Sequence, residues 1–381
     1  MKFNKLIWFN MGFRDLNVSE NIVKELAEAK IYNPSSIQKL SYSPILNGSN
    51  VWLKSPTGSG KTLAYILPLI DKILLSNTVH AQVVFFTPTH ELAIQINNFI
   101  NQSFSKIGIK SLALIGKASI ERQKEKLKRK PQIIVGSVGR ILELIEQKKL
   151  KAAHFKYCII DEADRMLEEE SFRVIKTVLN KTIQLQYILG SATLKNEAFS
   201  IAKSFIGDMC FLDNIEEKST ITHSYLVVDS NRKNNAVRSF INAIDFEKVL
   251  IFLHKNKDVE FLAKKLSDKK VSVGSIHGGQ DKVSRANTIR RFKSGKVKVL
   301  VASDVAARGL DLNDIDYVIN YDIPTKVEDY QHRAGRVGRM GRAGYSILLC
   351  NRGEVSFVER IQKGIGVEIS QSRLKHGCFE I

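Results

Sequence analysis

The sequence predicts an α/β protein of two domains, each a mostly parallel sheet with helices on both faces. Three observations predict it. Short apolar runs alternate with longer stretches of helical period along the whole chain. A length of 381 residues suits about two ordinary domains. A polar stretch at 213–220, DNIEEKST, lacks any period and separates two series of apolar runs.

The first series of expected strands is 51–53, 83–87, 133–135, 157–160 and 187–189. The second is 249–253, 273–276, 297–302, 317–320 and 347–349. Amphipathic stretches at 21–29, 63–75 and 259–266 supply covering helices. Pro68 falls inside the second of these and should kink it or cost it a hydrogen bond. The expected domains are 1–213 and 221–381, joined by a linker at 214–220. No sequence repeat relates the halves.

Hydrophobic residues make up 44% of the chain and charged residues 25%, the ordinary balance of a soluble globular protein. That balance excludes a wholly disordered or collagen-like chain. No run of about 18 apolar residues is present to span a bilayer, so no membrane is expected. Residues 1–13 lack the continuous apolar stretch and cleavage site of a signal peptide. Cys158, Cys210, Cys350 and Cys378 lie far apart, with no C-x-x-C pair. Neither a zinc site nor a disulfide framework is written there, and an intracellular, reducing compartment is expected, cytoplasm and nucleus not being distinguished. Lys and Arg number 58 against 39 Asp and Glu, a net charge of +19. That surplus favours a polyanionic partner, nucleic acid or an anionic surface, unless it serves solubility alone.

Ser55-Pro56-Thr57-Gly58-Ser59-Gly60-Lys61-Thr62 follows an expected strand and opens a helix, the context a phosphate-binding loop requires. Gly58 and Gly60 let the backbone curl so that its N–H groups point at phosphate oxygens, and the helix dipole adds to the attraction. Lys61 would reach the β- and γ-phosphates, and the Thr62 hydroxyl would hold Mg²⁺. The strict pattern has Gly where Ser55 stands. Asp161-Glu162-Ala163-Asp164 follows the strand at 157–160. Residues just past the carboxyl ends of strands line the ligand crevice of an open parallel sheet. Asp161 can hold the metal there, directly or through water, and Glu162 can orient and deprotonate the attacking water. Taken alone, the same carboxylates would equally suit a helix N-terminus.

These residues, with Ser191-Ala192-Thr193 downstream, resemble a DEAD-box RNA helicase. The other motifs of that family follow in order. Pro34-Ser35-Ser36-Ile37-Gln38 resembles the adenine-reading motif, Pro88-Thr89-His90-Glu91-Leu92-Ala93 motif Ia, and Val135-Gly136-Ser137-Val138-Gly139-Arg140 motif Ib. Ala302-Ser303-Asp304 through Gly309-Leu310-Asp311 resembles motif V, and His332-Arg333-Ala334-Gly335-Arg336-Val337-Gly338-Arg339 motif VI. The resemblance runs over residues 13–344.

The resemblance implies two RecA-like domains, ATP and Mg²⁺ as cofactors, and RNA as partner. Gln38 would hydrogen-bond the adenine edge, while Phe13 either supports that pocket or packs in the core. Ser191 and Thr193 would bond to the DEAD carboxylates, Asp164 among them, and link the site to domain movement. Asp311 would contact the ribose or nearby groups. Arg336 and Arg339 would act as arginine fingers on the γ-phosphate, with the permanent charge and forked shape that suit phosphate. His332 would couple the site to the RNA face. Thr89, Gly116, Ser137, Arg140, Gly278, Ser303 and Asp304 would line a strand-binding groove that grips the backbone without reading bases. RNA would be preferred over DNA through its 2′-OH.

Arg333, Arg336, Arg339 and Arg342 recur every three residues and suggest a basic RNA-facing surface. The basic block at 117–130 reads instead as a solvated helix face. The chain departs from the family at Lys30-Ile31 (a Gly-aromatic pair), His90 (Arg), Val138 (Pro) and Lys117 (Gly). These departures touch RNA contacts more than ATP chemistry. The expected activity is ATP-dependent unwinding of short RNA duplexes or remodelling of RNA–protein complexes. An ATP-gated RNA clamp with slow turnover shares every motif, and a DNA-directed translocase is a third reading. With no further RNA-binding module visible, specificity would come from the core surface or from a protein partner.

Overall fold

The computed structural model describes residues 12–380 apart from 57, 77–79, 214–219, 308–309, 311, 313–314, 339–341 and 376–377. The chain divides into two compact units, Met1–Glu217 and Lys218–Ile381. The expected linker at 214–220 lies outside the described residues except for Thr220.

The first unit is built on β1 (Val51–Lys54), β2 (Val83–Phe86), β3 (Ser111–Leu114), β4 (Ile133–Gly136), β5 (Tyr157–Asp161), β6 (Gln186–Ser191) and β7 (Cys210–Asp213). They pair in the order β3-β4-β2-β5-β6-β1-β7, and every pairing is parallel. The second unit holds β8 (Ile221–Val227), β9 (Val249–Leu253), β10 (Val273–Ile276), β11 (Val299–Ser303), β12 (Tyr317–Asn320), β13 (Gly344–Cys350) and β14 (Ser370–Gln371). Their order is β10-β11-β9-β12-β13-β8-β14, again all parallel. Counted from the first strand of each unit, the two orders are identical, although no sequence repeat announces it. A hairpin of β15 (Arg373–Lys375) and β16 (Cys378–Glu380) follows.

Alternation along the strands puts a core on each face of each sheet. Val51 and Leu53 of β1, with Val83 and Phe85 of β2, enter one cluster with the helices Lys61–Ser76 and His90–Phe104. Trp52, Val84 and Phe86 enter the opposite cluster with the helices Val138–Glu146 and Glu169–Leu179. The second sheet divides likewise: Val249 and Ile251 face one way, Leu250 and Phe252 the other. The central strands are therefore continuous apolar runs, as buried parallel strands must be. No helix among the described residues is long and apolar enough to cross a membrane.

The helix Lys61–Ser76 continues through Pro68. Proline removes the hydrogen bond to the carbonyl four residues earlier. That carbonyl, of Ala64, accepts instead from the Ser41 hydroxyl at 3.5 Å.

The helix Glu20–Glu28 ends in a tight cap: Lys30 N–H donates to the Ala27 carbonyl (2.9 Å) and Ile31 N–H to that of Leu26 (2.8 Å). Lys30 sits there at φ 61, a conformation that favours glycine. Relief of the left-handed cost, about 1–2 kcal/mol, exceeds the extra unfolded-state entropy of glycine, about 0.4–1 kcal/mol. Lys30→Gly should therefore stabilise the protein by about 0.5–1 kcal/mol, read as a raised denaturation midpoint.

Candidate active site and nucleic-acid interface

Because all seven strands of the first sheet are parallel, their carboxyl ends share one edge. Neighbours in the sheet then become neighbours on that edge. β5, β6 and β1 are adjacent, so the DEAD residues, Ser191-Ala192-Thr193 and the phosphate loop emerge side by side. β3, β4 and β2 are adjacent on the other half, so Gly116, Ser137 and Thr89 emerge together. One edge thus carries the residues expected to hold nucleotide on one half and the expected RNA contacts of this unit on the other.

The phosphate loop joins β1 to the helix Lys61–Ser76. Gly58 and Gly60 stand at φ 88 and 91, which only glycine adopts without strain. The Ser55 N–H donates to the Ser191 carbonyl at 3.1 Å, tying the loop to β6. Ser59 Oγ donates to the Pro56 carbonyl, and the Lys61 ammonium donates to the carbonyls of Ser55 (2.6 Å) and Pro56 (2.8 Å). Gln38 accepts from Ser35 N–H at 3.0 Å and donates to the Gly60 carbonyl at 3.1 Å. Ser35 Oγ donates to the Ser59 carbonyl at 2.7 Å. Gln38 is thus a brace of the loop, and its amide retains one further donor and acceptor valency for a base edge. Phe13 is buried in the core with Leu16 and Ile22, and it also lines a surface cleft with Ile31 and Tyr32. Both readings of Phe13 therefore have a physical basis. Thr62 is half-buried in the first turn of the helix. Thr57, Asp311 and Arg339 lie outside the described residues.

Asp161 ends β5 and is 7% exposed. Its Oδ1 accepts from the Glu162 N–H at 3.0 Å and from the Tyr65 hydroxyl at 3.2 Å. Burial pushes the carboxyl up to about 6, with Lys61 pulling the other way and Glu162 adding to the rise. Burial and the same carboxylate push the Tyr65 phenol well above its ordinary value, so it stays a donor. Glu162 stands at φ 50, a strained conformation for a side-chain-bearing residue. It turns the chain from strand to helix, with the Arg165 guanidinium 4.0 Å from its carboxylate.

The expected bonds from Ser191 and Thr193 divide. Thr193 Oγ1 donates to Asp164 Oδ2. Ser191 does not reach a DEAD carboxylate: its hydroxyl accepts from the Trp52 indole N–H at 3.0 Å and donates to the Thr193 carbonyl at 2.5 Å. The physical reason is register. Ser191 pairs with Lys54 of β1, which brings the indole of Trp52 beneath it. Trp52 and Tyr65 are residues the sequence reading missed, since each looks like ordinary core. The signal for Tyr65 was its place one helical turn after Lys61.

On the other half of the edge, side chains also bind the protein itself. Thr89 caps the helix His90–Phe104 by accepting from Leu92 N–H at 3.2 Å. Ser137 is the N-cap position of Val138–Glu146. The Arg140 guanidinium donates to the carbonyls of Gly116 and Ala118, each at 3.0 Å, and to Glu143 at 2.8 Å. It shapes the loop after β3 rather than standing free. His90 lies against Gly116, and burial lowers its ionisation, with Lys117 and Arg140 adding to the fall. The basic block forms an exposed helix, Ile120–Leu127, laced by Lys124–Glu121.

The second unit repeats the arrangement. β10, β11 and β9 are adjacent, so Gly278 and the pair Ser303 and Asp304 share the equivalent half of its edge. Ser303 is buried. Here the basic surface expected of motif VI is corrected at two of its four arginines, Arg342 being exposed and Arg339 lying outside the described residues. Arg333 is 2% exposed and grips Asp304 with two bonds of 2.6 Å. It also donates to Asn320 Oδ1 (3.3 Å) and the Asp322 carbonyl (2.7 Å). Arg336 is buried too and donates to the Leu310 carbonyl at 3.0 Å. Arg333 stands near the end of the helix Val327–Ala334 and Arg336 in the turn after it, and both side chains turn inward to carbonyl and carboxylate acceptors. The Asp304 carboxylate is accordingly engaged by Arg333. His332 lies on the same helix, Val327–Ala334.

The sequence signature of the DEAD/DEAH box helicase family matches residues 35–201, and that of the helicase conserved C-terminal domain matches residues 232–341. The DEAD-box ATP-dependent RNA helicase CshC of Bacillus cereus is 36% identical over 348 residues, covering 91% of this chain and 89% of that protein. The probable ATP-dependent RNA helicase YfmL of Bacillus subtilis is 34% identical over 343 residues, covering 89% and 90%. Among solved structures, S. cerevisiae Dbp5 bound to RNA and ADP BeF3 superposes with a TM-score of 0.83 at 26% identity, covering 94% of this chain and 95% of that one.

Removing one member of a buried, hydrogen-bonded ion pair costs about 3–5 kcal/mol. Asp304→Ala leaves the Arg333 guanidinium buried without its carboxylate. It should destabilise the second unit by about 3 kcal/mol, read as an earlier unfolding transition, while the first unit melts unchanged.

Proposed function

The chain belongs to the DEAD-box helicase family, and from that membership we propose that it is an ATP-dependent RNA helicase made of two RecA-like domains. It binds single-stranded RNA along both units and couples ATP hydrolysis to local strand separation or remodelling. One observation carries the reading: the strand order brings the phosphate loop, the DEAD residues and Ser191-Ala192-Thr193 together on adjacent strands of one sheet edge.

Each residue then has a chemical task. The loop N–H groups and the Lys61 ammonium hold the phosphates. Gln38 reads the adenine edge with its remaining valencies, and Asp311 meets the ribose. The donor set fits Mg²⁺: a hydroxyl at Thr62 and a buried carboxylate at Asp161, whose Oδ1 takes both protein hydrogen bonds and leaves Oδ2 for the metal or its water. When bound, Mg²⁺ neutralises charge on the phosphate oxygens. Glu162 orients the attacking water and takes its proton. Arg336 and Arg339 meet charge developing on the γ-phosphate, and His332 couples that event to RNA. Thr89, Gly116, Ser137, Arg140, Gly278, Ser303 and Asp304 form the RNA-facing positions, largely through backbone and loop shape. Grip of this kind is independent of base sequence, so a protein partner would supply specificity. Cys158 and Cys350 are buried free thiols, which suits a reducing compartment.

The test is ATP hydrolysis with and without RNA, together with displacement of a short duplex strand. RNA should stimulate turnover, and the strand should be released only with ATP. Glu162→Gln keeps the shape but removes the base. It should retain nucleotide and RNA binding, lose turnover, and remain trapped on RNA. Near-wild-type hydrolysis by this variant would remove Glu162 from the mechanism.

Asp161 gives a pH dependence with a definite sign. Its folded value, about 6, lies above the 3.8 of a free aspartate. The neutral form is thus favoured by folding, and without metal this group's contribution to stability falls as pH rises between those values. Metal needs the ionised form. Thermal stabilisation by Mg²⁺ and a non-hydrolysable ATP analogue should therefore be larger one unit above about pH 6 than one unit below it. Equal stabilisation at both would remove Asp161 from the metal.

A further inference from the structure

We propose that Tyr65 is a positioning residue for the metal-holding carboxylate of Asp161, reaching it through a slot that exists because residue 190 is glycine. The proposal rests on the reading of Asp161 as a metal ligand. Tyr65 follows Lys61 by one helical turn, so the residue that meets the phosphates and the residue that meets Asp161 share a helix face. Tyr65 is wholly buried, and its hydroxyl donates to Asp161 Oδ1 at 3.2 Å. Asp161 and Gly190 are register partners on β5 and β6. A Cβ on Gly190 would lie 1.5 Å from the phenol oxygen and 2.3 Å from Cζ. The helix, the DEAD strand and the strand leading to Ser191 therefore meet at one oxygen atom.

Two donors on Oδ1, the phenol and the Glu162 N–H, fix the plane of a carboxyl group whose terminal torsion is otherwise broad. Oδ2 is then held in one direction before any metal arrives. Packing alone does not require the hydroxyl, because phenylalanine fills the same space and would keep the edge-to-face contact with Phe85. What phenylalanine cannot do is donate to Asp161. Hydrogen-bonding partners that orient metal ligands typically contribute 10–100-fold in metal affinity.

The experiment is Tyr65→Phe in the full chain. Binding of a fluorescent ATP analogue is measured across Mg²⁺ concentrations and in EDTA, with ATP turnover and melting temperature alongside. The Mg²⁺ concentration for half-maximal binding should rise roughly 10–100-fold. Binding in EDTA and the melting temperature should stay at wild-type values, and turnover should recover at saturating Mg²⁺. The effect should vanish in the Asp161→Asn background. Gly190→Ala, whose methyl displaces the phenol, should raise the Mg²⁺ requirement in the same direction and serves where Tyr65→Phe folds poorly. A folded Tyr65→Phe or Gly190→Ala protein with wild-type Mg²⁺ requirement overturns the proposal, as does an effect that survives Asp161→Asn. Wild-type turnover without Mg²⁺ would overturn the metal reading of Asp161 itself, and this proposal with it.

Discussion

A parallel sheet must bring the carboxyl end of every strand to the same edge, and both units depend on that constraint. Chain-distant motifs become neighbours only through strand order. In the first unit Ser55, Asp161 and Ser191 come from widely separated segments, yet β1, β6 and β5 stand in sequence across the sheet. The second unit applies the same order to different residues. There Asp304, just past β11, is gripped by Arg333 from the helix that follows β12.

Close packing at this edge is what selects its glycines. Gly60 has no Cβ because Gln38 Nε2 would stand 2.4 Å from it. Gly136 has none because the Leu114 carbonyl oxygen would stand 2.1 Å away. The bonds that tie the phosphate loop to the segment before it, Ser35 to Ser59 and Gln38 to Gly60, pass through the first of these close approaches. Small residues and bracing polar side chains are thus two aspects of one design.

Much of this was legible in the sequence because central parallel strands are buried on both faces. VWL, VVFFT, IIV and YCII are such runs, and strands β1, β2, β4 and β5 form there with ends within one residue of them. The strands missed are those that lack that signature. β3 is an edge strand with alternating burial, and β7 is an edge strand with two exposed residues. β8 carries His223 and Ser224 inward, and a 2.7 Å bond to Tyr330 from a distant helix makes His223 tolerable there. The motif residues were legible by type and spacing. Their partners were not: nothing local pairs Arg333 with Asp304, or Ser191 with Trp52. Such pairings are properties of register and topology, and these follow from the whole chain rather than from any window of it.

The side chains marked out for ligands already have protein partners. Lys61 bonds two loop carbonyls, Gln38 bonds a backbone N–H and a carbonyl, and Arg336 bonds a carbonyl. None waits as a bare charge, which would be expensive at such low exposure. Ligand binding here is an exchange of partners. For Lys61 as a phosphate ligand the exchange would replace neutral carbonyl oxygens by anionic phosphate oxygens, adding the attraction of opposite charges to a bond whose donor is already charged. For Gln38 it need not break anything, since each end of its amide keeps a free valency. Loop geometry is therefore set before nucleotide arrives. The favourable part of binding is the difference between two satisfied states, not the satisfaction of an empty one. That difference is largest at Lys61, where the acceptor changes from neutral to anionic.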